Sequence, residues 1–376
     1  MIAGFVDPRF AGVREAFASC FADGIDHGGA VCAVVDGRVV ADLWGGHADS
    51  ARTRPWRRDT LVNVWSVTKG IVALAVAMLV EQGKLDYAAP IASVWPEFAA
   101  NGKGDIPLDL AMSHRAGLNG TAAPITEADL LAWTPYVEAL AAQAPLWEPG
   151  SRCVYHMLSY GHLAGEPIRR VTGGSVGAFI AQNIAGPLGV PFYVGLPENE
   201  DALAAEIVSG PLVDAGMEKL REGAYGQGAR NPTPRADAPN HRAWRAAEVP
   251  GGNGHTNARA LATIYGTLVR GGGPLISPAG LAAATAERFR GDDSGFQLPT
   301  AWGAGFRLDD AASYGPRASA GSFGHSGWGG AVAFADPEAR LGFAYVTNHM
   351  RDFLDGVDLR RLRLTQAVYA ALKPAA

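Results

Sequence analysis

The chain has 376 residues, of which 48% are hydrophobic and 18% charged, and its formal net charge is −5. This composition excludes a disordered chain and predicts either one large domain or two closely packed ones. Because no run rich in lysine or arginine occurs, we expect neither a nucleic-acid partner nor a membrane partner.

The first third of the chain predicts a helix, a hairpin and a second helix. Apolar residues recur at helical spacing over residues 8–26, which favours an amphipathic helix. Two β-rich runs then flank Asp36-Gly37, a strong hairpin signal. A helix follows over residues 66–82, and we expect Gly83 to end it.

The middle of the chain is rich in alanine and leucine, with Pro-Gly breaks, and predicts mainly helices between about residues 99 and 245. One of these helices covers about residues 157–172 and ends at Gly173-Gly174. Residues 225–254 contain much Gly, Pro, Asn and Arg without periodicity, which is typical of a functional, lid-like loop.

The last third begins with a helix, "ARALATIYGTLV", capped by Thr256 or Asn257. Strand-like runs then surround a turn at Asp336-Pro337, and a final helix is expected over about residues 357–372.

Strands at both ends of the sequence and helices between them predict an α/β (α+β) fold. Its antiparallel sheet combines N- and C-terminal strands and is flanked by helices. The predicted sheet domain comprises residues 1–98 and 246–376, and residues 99–245 form an inserted, mainly helical domain. We expect a cleft where the two meet.

The cysteines and the N-terminus predict the compartment. Cys20, Cys32 and Cys153 are scattered and odd in number, which favours buried free thiols over a disulfide framework or a metal site. The N-terminus has no basic segment followed by a long apolar stretch, and the run from Gly70 to Val80 is too short to span a bilayer. The sequence therefore predicts a cytoplasmic protein without a metal or cofactor, because we also find no nucleotide-binding fingerprint.

The segment "WSVTKG" carries the strongest chemical signal. Ser66 and Lys69 are three residues apart and share one helix face, ahead of an uncharged run. A structural interpretation is a serine cap with a surface lysine. The catalytic interpretation is a serine nucleophile whose proton is taken by a lysine that burial keeps neutral.

Two later segments bear on this choice. Tyr155, in "WEPGSRCVYHMLSYG", follows a Pro-Gly turn and precedes a helix; on its own it could equally be a core tyrosine. The segment "FGHSGWGG", residues 323–330, has four glycines that fit either a strand bend or the close approach of a ligand.

The order Ser-x-x-Lys, Tyr, glycine-rich strand resembles the serine β-lactamase and penicillin-binding protein superfamily over nearly the whole chain. The class C-like branch with the bacterial family VIII carboxylesterases is the most similar part of it. The resemblance implies Ser66 as nucleophile and Lys69 with Tyr155 as general base and acid. It also implies that the backbone N–H groups of Ser66 and Trp328 form the oxyanion hole.

Two positions depart from the β-lactamase pattern. His325-Ser326-Gly327 stands where the family has Lys-Thr-Gly, and Tyr155-His156-Met157 stands where it has Tyr-x-Asn. A neutral histidine is a poor anchor for a substrate carboxylate, and a methionine cannot bind an amide as asparagine does. Both changes favour a neutral small-molecule ester. His255, in a glycine-rich loop, is a further candidate for substrate contact.

The sequence thus predicts a serine carboxylesterase that works through an acyl-enzyme. The same machinery could cleave amides, as a β-lactamase, D-aminopeptidase or DD-peptidase, or could transfer the acyl group to an alcohol. A ligand-sensing, penicillin-binding-like module is the non-enzymatic alternative. The sequence leaves the oligomeric state open.

Overall fold

The computed structural model describes residues 2–223, 225–351 and 357–372. Its strands are β1 (Ala3–Val6), β2 (Gly28–Val35), β3 (Arg38–Gly46), β4 (Val62–Asn63), β5 (Phe192–Tyr193), β6 (His255–Thr256), β7 (Phe289–Asp293), β8 (Leu298–Trp302), β9 (Arg307–Leu308), β10 (Phe323–Ser326), β11 (Val332–Asp336) and β12 (Leu341–Thr347). Nine of them form one sheet in the order β1-β3-β2-β12-β11-β10-β9-β8-β7, and all of its neighbouring pairs are antiparallel. The short strands β4, β6 and β5 form a second sheet. The predicted antiparallel sheet from both chain ends is therefore confirmed.

The α-helices lie on both faces of the large sheet and in the middle of the chain. They are α1 (Ala11–Ala22), α2 (Val67–Glu81), α3 (Leu108–Met112), α4 (Glu127–Leu131), α5 (Thr134–Ala142), α6 (Ser159–Thr172), α7 (Val176–Ile180), α8 (Gly186–Leu188), α9 (Pro211–Glu222), α10 (Gln227–Arg230), α11 (Arg242–Ala246), α12 (Ala258–Leu268), α13 (Pro278–Thr285), α14 (Ala311–Tyr314) and α15 (Leu359–Leu372). Among the residues that the structure describes, no helix is both long and apolar enough to cross a bilayer.

The sheet is covered on both sides, which explains the continuous apolar sequence of β2. Alternate side chains of a strand point to opposite faces. Val31 and Ala33 accordingly join the core formed with α1 and α15. Cys32 and Val34 face the larger core that includes α2 and α12. The cysteines at 20, 32 and 153 are all buried free thiols, as predicted.

Several predicted elements are confirmed at nearly their predicted bounds. Asp36 and Gly37 adopt positive φ angles of 51° and 78° between β2 and β3, as a two-residue hairpin turn requires. Gly83 and Gly173 have left-handed φ angles of 68° and 70° after α2 and α6. Asn257 caps α12, since its side chain accepts a hydrogen bond from the backbone N–H of residue 260. The predicted helix over residues 8–26 ends earlier, at the end of α1.

The predicted loop over residues 225–254 differs from the structure. It contains α10, α11 and a 3₁₀ helix at Ala238–Asn240, and residues 249–254 are buried. The side chain of Asn253 ties this second half together, because it accepts from the N–H of Val249 and donates to the carbonyl of Ala247. A lid-like role of the segment stays a prediction. The division into domains at residues 98 and 245 stays a prediction.

Candidate active site

Ser66 stands at the N-terminus of α2, the helix that packs between β10, α6 and α13. The preceding residue, Trp65, is forced into a positive φ of 49°, an uncommon conformation for a bulky side chain. The carbonyl of Trp65 accepts the N–H of Thr68 at 3.0 Å. Because a trans peptide points its N–H and C=O in opposite directions, the N–H of Ser66 points away from the helix. Ser66 itself is half-buried.

Lys69 has no exposed surface and lies beside Ser66. Its Nζ is 3.0 Å from the Ser66 Oγ and donates to the carbonyls of Met157 at 2.7 Å and Gly251 at 2.6 Å. Burial lowers the pKa of Lys69 well below its ordinary value. A neutral amine has two N–H groups and one lone pair. With both N–H groups used by carbonyls, the lone pair is left for the proton of Ser66.

Tyr155 provides the third polar group at Ser66. Burial raises the pKa of Tyr155 above its usual value, and the nearby Ser66 side chain partly offsets this effect. The phenol is therefore protonated at neutral pH. Lys69 Nζ lies 4.9 Å from the centre of the Tyr155 ring, and the ring is stacked on Trp302 at 6.0 Å.

Asp293, at the end of β7, holds the backbone of Tyr155 in place. Its Oδ2 accepts the N–H of Tyr155 at 2.8 Å. Its Oδ1 accepts the N–H groups of Gly295 and Phe296, both at 2.8 Å. Sequence reasoning did not identify this residue, and no local motif marks it. Asp293 positions Tyr155 and closes the turn beside the cleft at the same time.

The segment after β10 brings a second backbone donor to the cleft. A Cβ on Gly327 would lie 2.3 Å from the carbonyl oxygen of Val64, so this backbone passes directly against the residues before Ser66. The ring of Trp328 packs edge-on against Trp65 at 4.9 Å. Within the described residues, the N–H groups of Ser66 and Trp328 form no hydrogen bond. Both are available to a developing oxyanion.

His325 is buried and neutral. Its Nδ1 donates to the carbonyl of Ser326 at 2.6 Å. Burial lowers the pKa of His325 well below its usual value. Its ring packs at 5.6 Å from Trp302 and 6.0 Å from Tyr155. The strand edge therefore carries no cation at this position. Ser326 is half-exposed beside it.

A pocket beside Tyr155 is lined mainly by apolar side chains: Val154, Met157, Leu220, Tyr225 and Phe296. Met157 also lines this pocket, and its carbonyl accepts from Lys69. Leu220 and Tyr225, which line it too, come from the end of α9 and the segment that follows it. From residues 249–254, the carbonyl of Gly251 reaches Lys69.

His255 is buried, and its assignment as a substrate contact stays a prediction. It is 1% exposed within the short sheet, and its Nδ1 donates to the carbonyl of Asn253 at 2.8 Å. The charged groups nearest to it, Arg245, Asp201 and Arg242, belong to the region of α11 and the residues after β5.

His114 is a contact that the sequence did not single out. It is fully buried, and its ring lies 4.7 Å from that of Tyr155 and 4.3 Å from that of Trp302. Its Nδ1 accepts the N–H of His156 at 3.0 Å. Burial lowers the pKa of His114 well below its usual value. The side chain therefore supports Tyr155 as a neutral ring.

The site thus combines a hydroxyl, a buried amine of lowered pKa, a protonated phenol and two backbone N–H groups that have no partner among the described residues. This combination suits nucleophilic attack on a carbonyl carbon. Over residues 2–223, 225–351 and 357–372, no three His, Cys, Asp or Glu side chains lie close enough to hold a metal ion.

Comparisons with known proteins show the family. A family model described as Beta-lactamase matches residues 17–367. The crystal structure of a family VIII carboxylesterase is 42% identical, with a TM-score of 0.91 over 99% of this chain and 100% of that one. A penicillin-binding protein homolog from Caulobacter crescentus is 40% identical, with a TM-score of 0.88 over 99% and 100% of the two chains. The Esterase/beta-lactamase LipL of Mycobacterium tuberculosis is 33% identical over 93% of this chain and 83% of its own length.

Proposed function

The chain belongs to the beta-lactamase family, and from this we propose that it is a serine hydrolase that cleaves carboxylic esters through an acyl-enzyme on Ser66. The observation that carries the proposal is the buried amine of Lys69, 3.0 Å from the Ser66 Oγ. The carboxylesterase and esterase named among the similar proteins support the same reaction.

In the first half-reaction, the Ser66 Oγ attacks the ester carbonyl carbon while Lys69 takes its proton. The lowered pKa of Lys69 makes it the acceptor, and the raised pKa of Tyr155 keeps that residue a donor. Negative charge develops on the carbonyl oxygen, where the N–H groups of Ser66 and Trp328 receive it. A fixed donor at such a position contributes roughly 10²–10³ in kcat.

The C–O bond to the alcohol then breaks, and Tyr155 donates its proton to the departing oxygen. The proton held by Lys69 returns to Tyr155, so the acyl-enzyme has both groups neutral. Water attacks the acyl carbon by the reverse route: it loses one proton to this pair, which passes it to Ser66 as the acid leaves. The balance is one ester and one water for one acid and one alcohol.

Two side chains support a neutral ester over an anionic substrate. The ring of His325 is neutral and its Nδ1 proton is occupied by the Ser326 carbonyl. Met157 contributes a thioether to a mainly apolar pocket. The site therefore has no cation from His325 for a β-lactam carboxylate and no side-chain amide at position 157. A cytoplasmic location stays a prediction.

The experiment is activity-based labelling combined with a substrate panel. A fluorophosphonate should label Ser66, read by peptide mass spectrometry, and the protein should turn over p-nitrophenyl esters faster than a cephalosporin or a D-amino-acid amide. Ser66→Ala should lose both labelling and turnover and keep the fold. Ser326→Ala, the matched serine control, should still be labelled at Ser66. Labelling at another serine, or preference for the amide or the cephalosporin, contradicts the proposal.

A further inference from the structure

The start of α15, far from the nucleophile in sequence, carries charged side chains that are buried. Arg360 is 0% exposed and Arg361 7%, although arginine is almost never buried without partners. Arg360 pairs with Asp358 at 2.9 Å and lies 3.7 Å from Asp26. These carboxylates compensate the buried positive charge. The other hydrogen-bond partners of the two guanidinium groups show which segment of the chain they hold.

Both guanidinium groups bind the carbonyls of residues 327–331, which we call the glycine turn. Arg361 donates through Nη2 to the carbonyls of Gly327 at 3.0 Å and Ala331 at 3.1 Å, and through Nε to that of Gly330 at 2.7 Å. Arg360 Nη2 donates to the carbonyl of Gly329 at 2.7 Å. Four of the five carbonyls of the turn are thus held from the side of α15.

The bond to Gly327 has a direct consequence for the oxyanion hole. The carbonyl of Gly327 and the N–H of Trp328 belong to the same peptide unit, which is planar and trans. The carbonyl accepts from Arg361 at 3.0 Å and, at the longer distance of 3.3 Å, from the N–H of Gly330. Because Arg361 draws the carbonyl toward α15, the N–H must point the opposite way. That N–H forms no hydrogen bond within the described residues, as expected for a donor that faces the cleft.

The glycines of the turn make this approach possible. A Cβ on Gly330 would lie 2.2 Å from Arg360 Nη2, and Gly330 has a φ of 131°. A side chain at this position would displace the guanidinium. The glycine at 330 is therefore matched to the buried arginine rather than only to a strand bend.

We propose that Arg361, supported by Arg360 and Asp358, is a positioning residue that aims the Trp328 N–H at the reacting carbonyl oxygen. The inference rests on the proposed ester hydrolysis and adds the device that sets one of its two oxyanion donors. A guanidinium suits this task because it presents several donors in a fixed plane, whereas an ammonium is a single point.

The test compares Arg361→Lys with the wild type. The substitution keeps the charge but replaces two donor nitrogens, Nε and Nη2, by one, so it cannot reproduce their spacing toward the carbonyls of Gly327, Gly330 and Ala331. We expect kcat for a p-nitrophenyl ester to fall about ten- to hundred-fold with KM within about twofold, since the donor is misdirected rather than removed. The inhibition constant of a trifluoromethyl ketone, whose adduct with serine carries an oxyanion, should rise by the same factor as kcat/KM falls.

Arg54→Lys is the matched control, because the guanidinium of Arg54 also donates to three carbonyls, those of Ala48, Ala202 and Ala204. It should keep the wild-type kcat and inhibition constant. If Arg361→Lys does not fold, Asp358→Asn leaves both arginines in place and should show the same signature with a smaller loss of about three- to tenfold.

The outcomes separate the two proposals. If wild-type protein is neither labelled at Ser66 nor active on esters, the proposed function is refuted. If the wild type is active but the folded Arg361 or Asp358 variant has an unchanged kcat and inhibition constant, the positioning role is overturned. A loss confined to KM, or an equal loss in Arg54→Lys at matched melting temperature, overturns it as well.

Discussion

Lys69→Arg separates proton transfer from simple electrostatic support. The lysine amine faces the Ser66 Oγ at 3.0 Å and donates to the carbonyls of Met157 and Gly251. A guanidinium can still donate to both carbonyls and keeps a positive charge beside Ser66. It has no lone pair to accept the serine proton, because arginine is not deprotonated in proteins.

The expected loss of rate is large. General-base transfer contributes roughly 10²–10⁴. Because nucleophile and base act as a unit, removing one member can cost almost as much as removing both, up to about 10⁶ in kcat. A separate loss of stability of about 1–3 kcal/mol is expected, since a larger side chain must fit a site where Lys69 has no exposed surface. Lys69→Met is the volume-matched control, because it has neither charge nor lone pair.

The assay is the pH dependence of kcat/KM for a p-nitrophenyl ester, with melting temperatures for each protein. In the wild type the rate should fall as pH falls through the lowered pKa of Lys69, because the protonated amine cannot accept a proton. Lys69→Arg and Lys69→Met should both lie near the background rate without this acidic limb. An Lys69→Arg variant within about tenfold of wild type refutes the reasoning, since the lysine would then act only through its charge.

Three further predictions concern the neighbours of the nucleophile. Tyr155→Phe keeps the ring that stacks on Trp302, so we expect a loss of about 10²–10⁴ in kcat with little change in melting temperature; a rate near wild type would remove its role as acid. Asp293→Asn weakens the acceptor of the Tyr155 N–H and should lower kcat about tenfold with unchanged labelling of Ser66, read by steady-state kinetics. The double substitution His325→Lys, Met157→Asn should lower KM for a cephalosporin about ten- to hundred-fold. We expect the lower end, because burial already disfavours a cation at 325. The kcat/KM for a neutral ester should fall or stay level, and equal shifts for both substrates would show that these positions do not set specificity.

The sequence predicted those elements whose signals are local. The hairpin follows from Asp36-Gly37, which tolerate positive φ, and α2 follows from an apolar run closed by Gly83. The strands β7 and β8 were missed because their segments, "FRGDD" and "LPTAW", combine charges, a glycine and a proline without alternation. They are the last two strands at one edge of the sheet. Their pairing with neighbouring strands compensates for the weak intrinsic preference of these residues for strand structure.

The site residues likewise divide into those with a local sequence signal and those without one. Ser66 and Lys69 are one helical turn apart, and Tyr155 was added by resemblance; the structure brings the three side chains together. Asp293 and Arg361 were not found because each acts on the backbone of a residue distant in sequence, and no spacing records such a contact. The role of His255 stays a prediction for a related reason. It lies in a two-residue strand, and such a strand can face the cleft or the core without any sequence signal that separates the two.

The two backbone donors of the proposed oxyanion hole obey one geometric rule but have different origins. The N–H of Ser66 is aimed by its own helix, since the Trp65 carbonyl accepts the N–H of Thr68 in the first turn of α2. The N–H of Trp328 is aimed mainly by Arg361, because the Gly327 carbonyl accepts from a guanidinium on α15 at 3.0 Å and from the Gly330 N–H only at 3.3 Å. The first donor therefore forms wherever α2 forms, whereas the shorter bond that aims the second requires the C-terminal helix to be docked. Hydrogen exchange at the start of α15 and catalytic rate should accordingly be coupled, although α15 contributes no group to the chemistry itself.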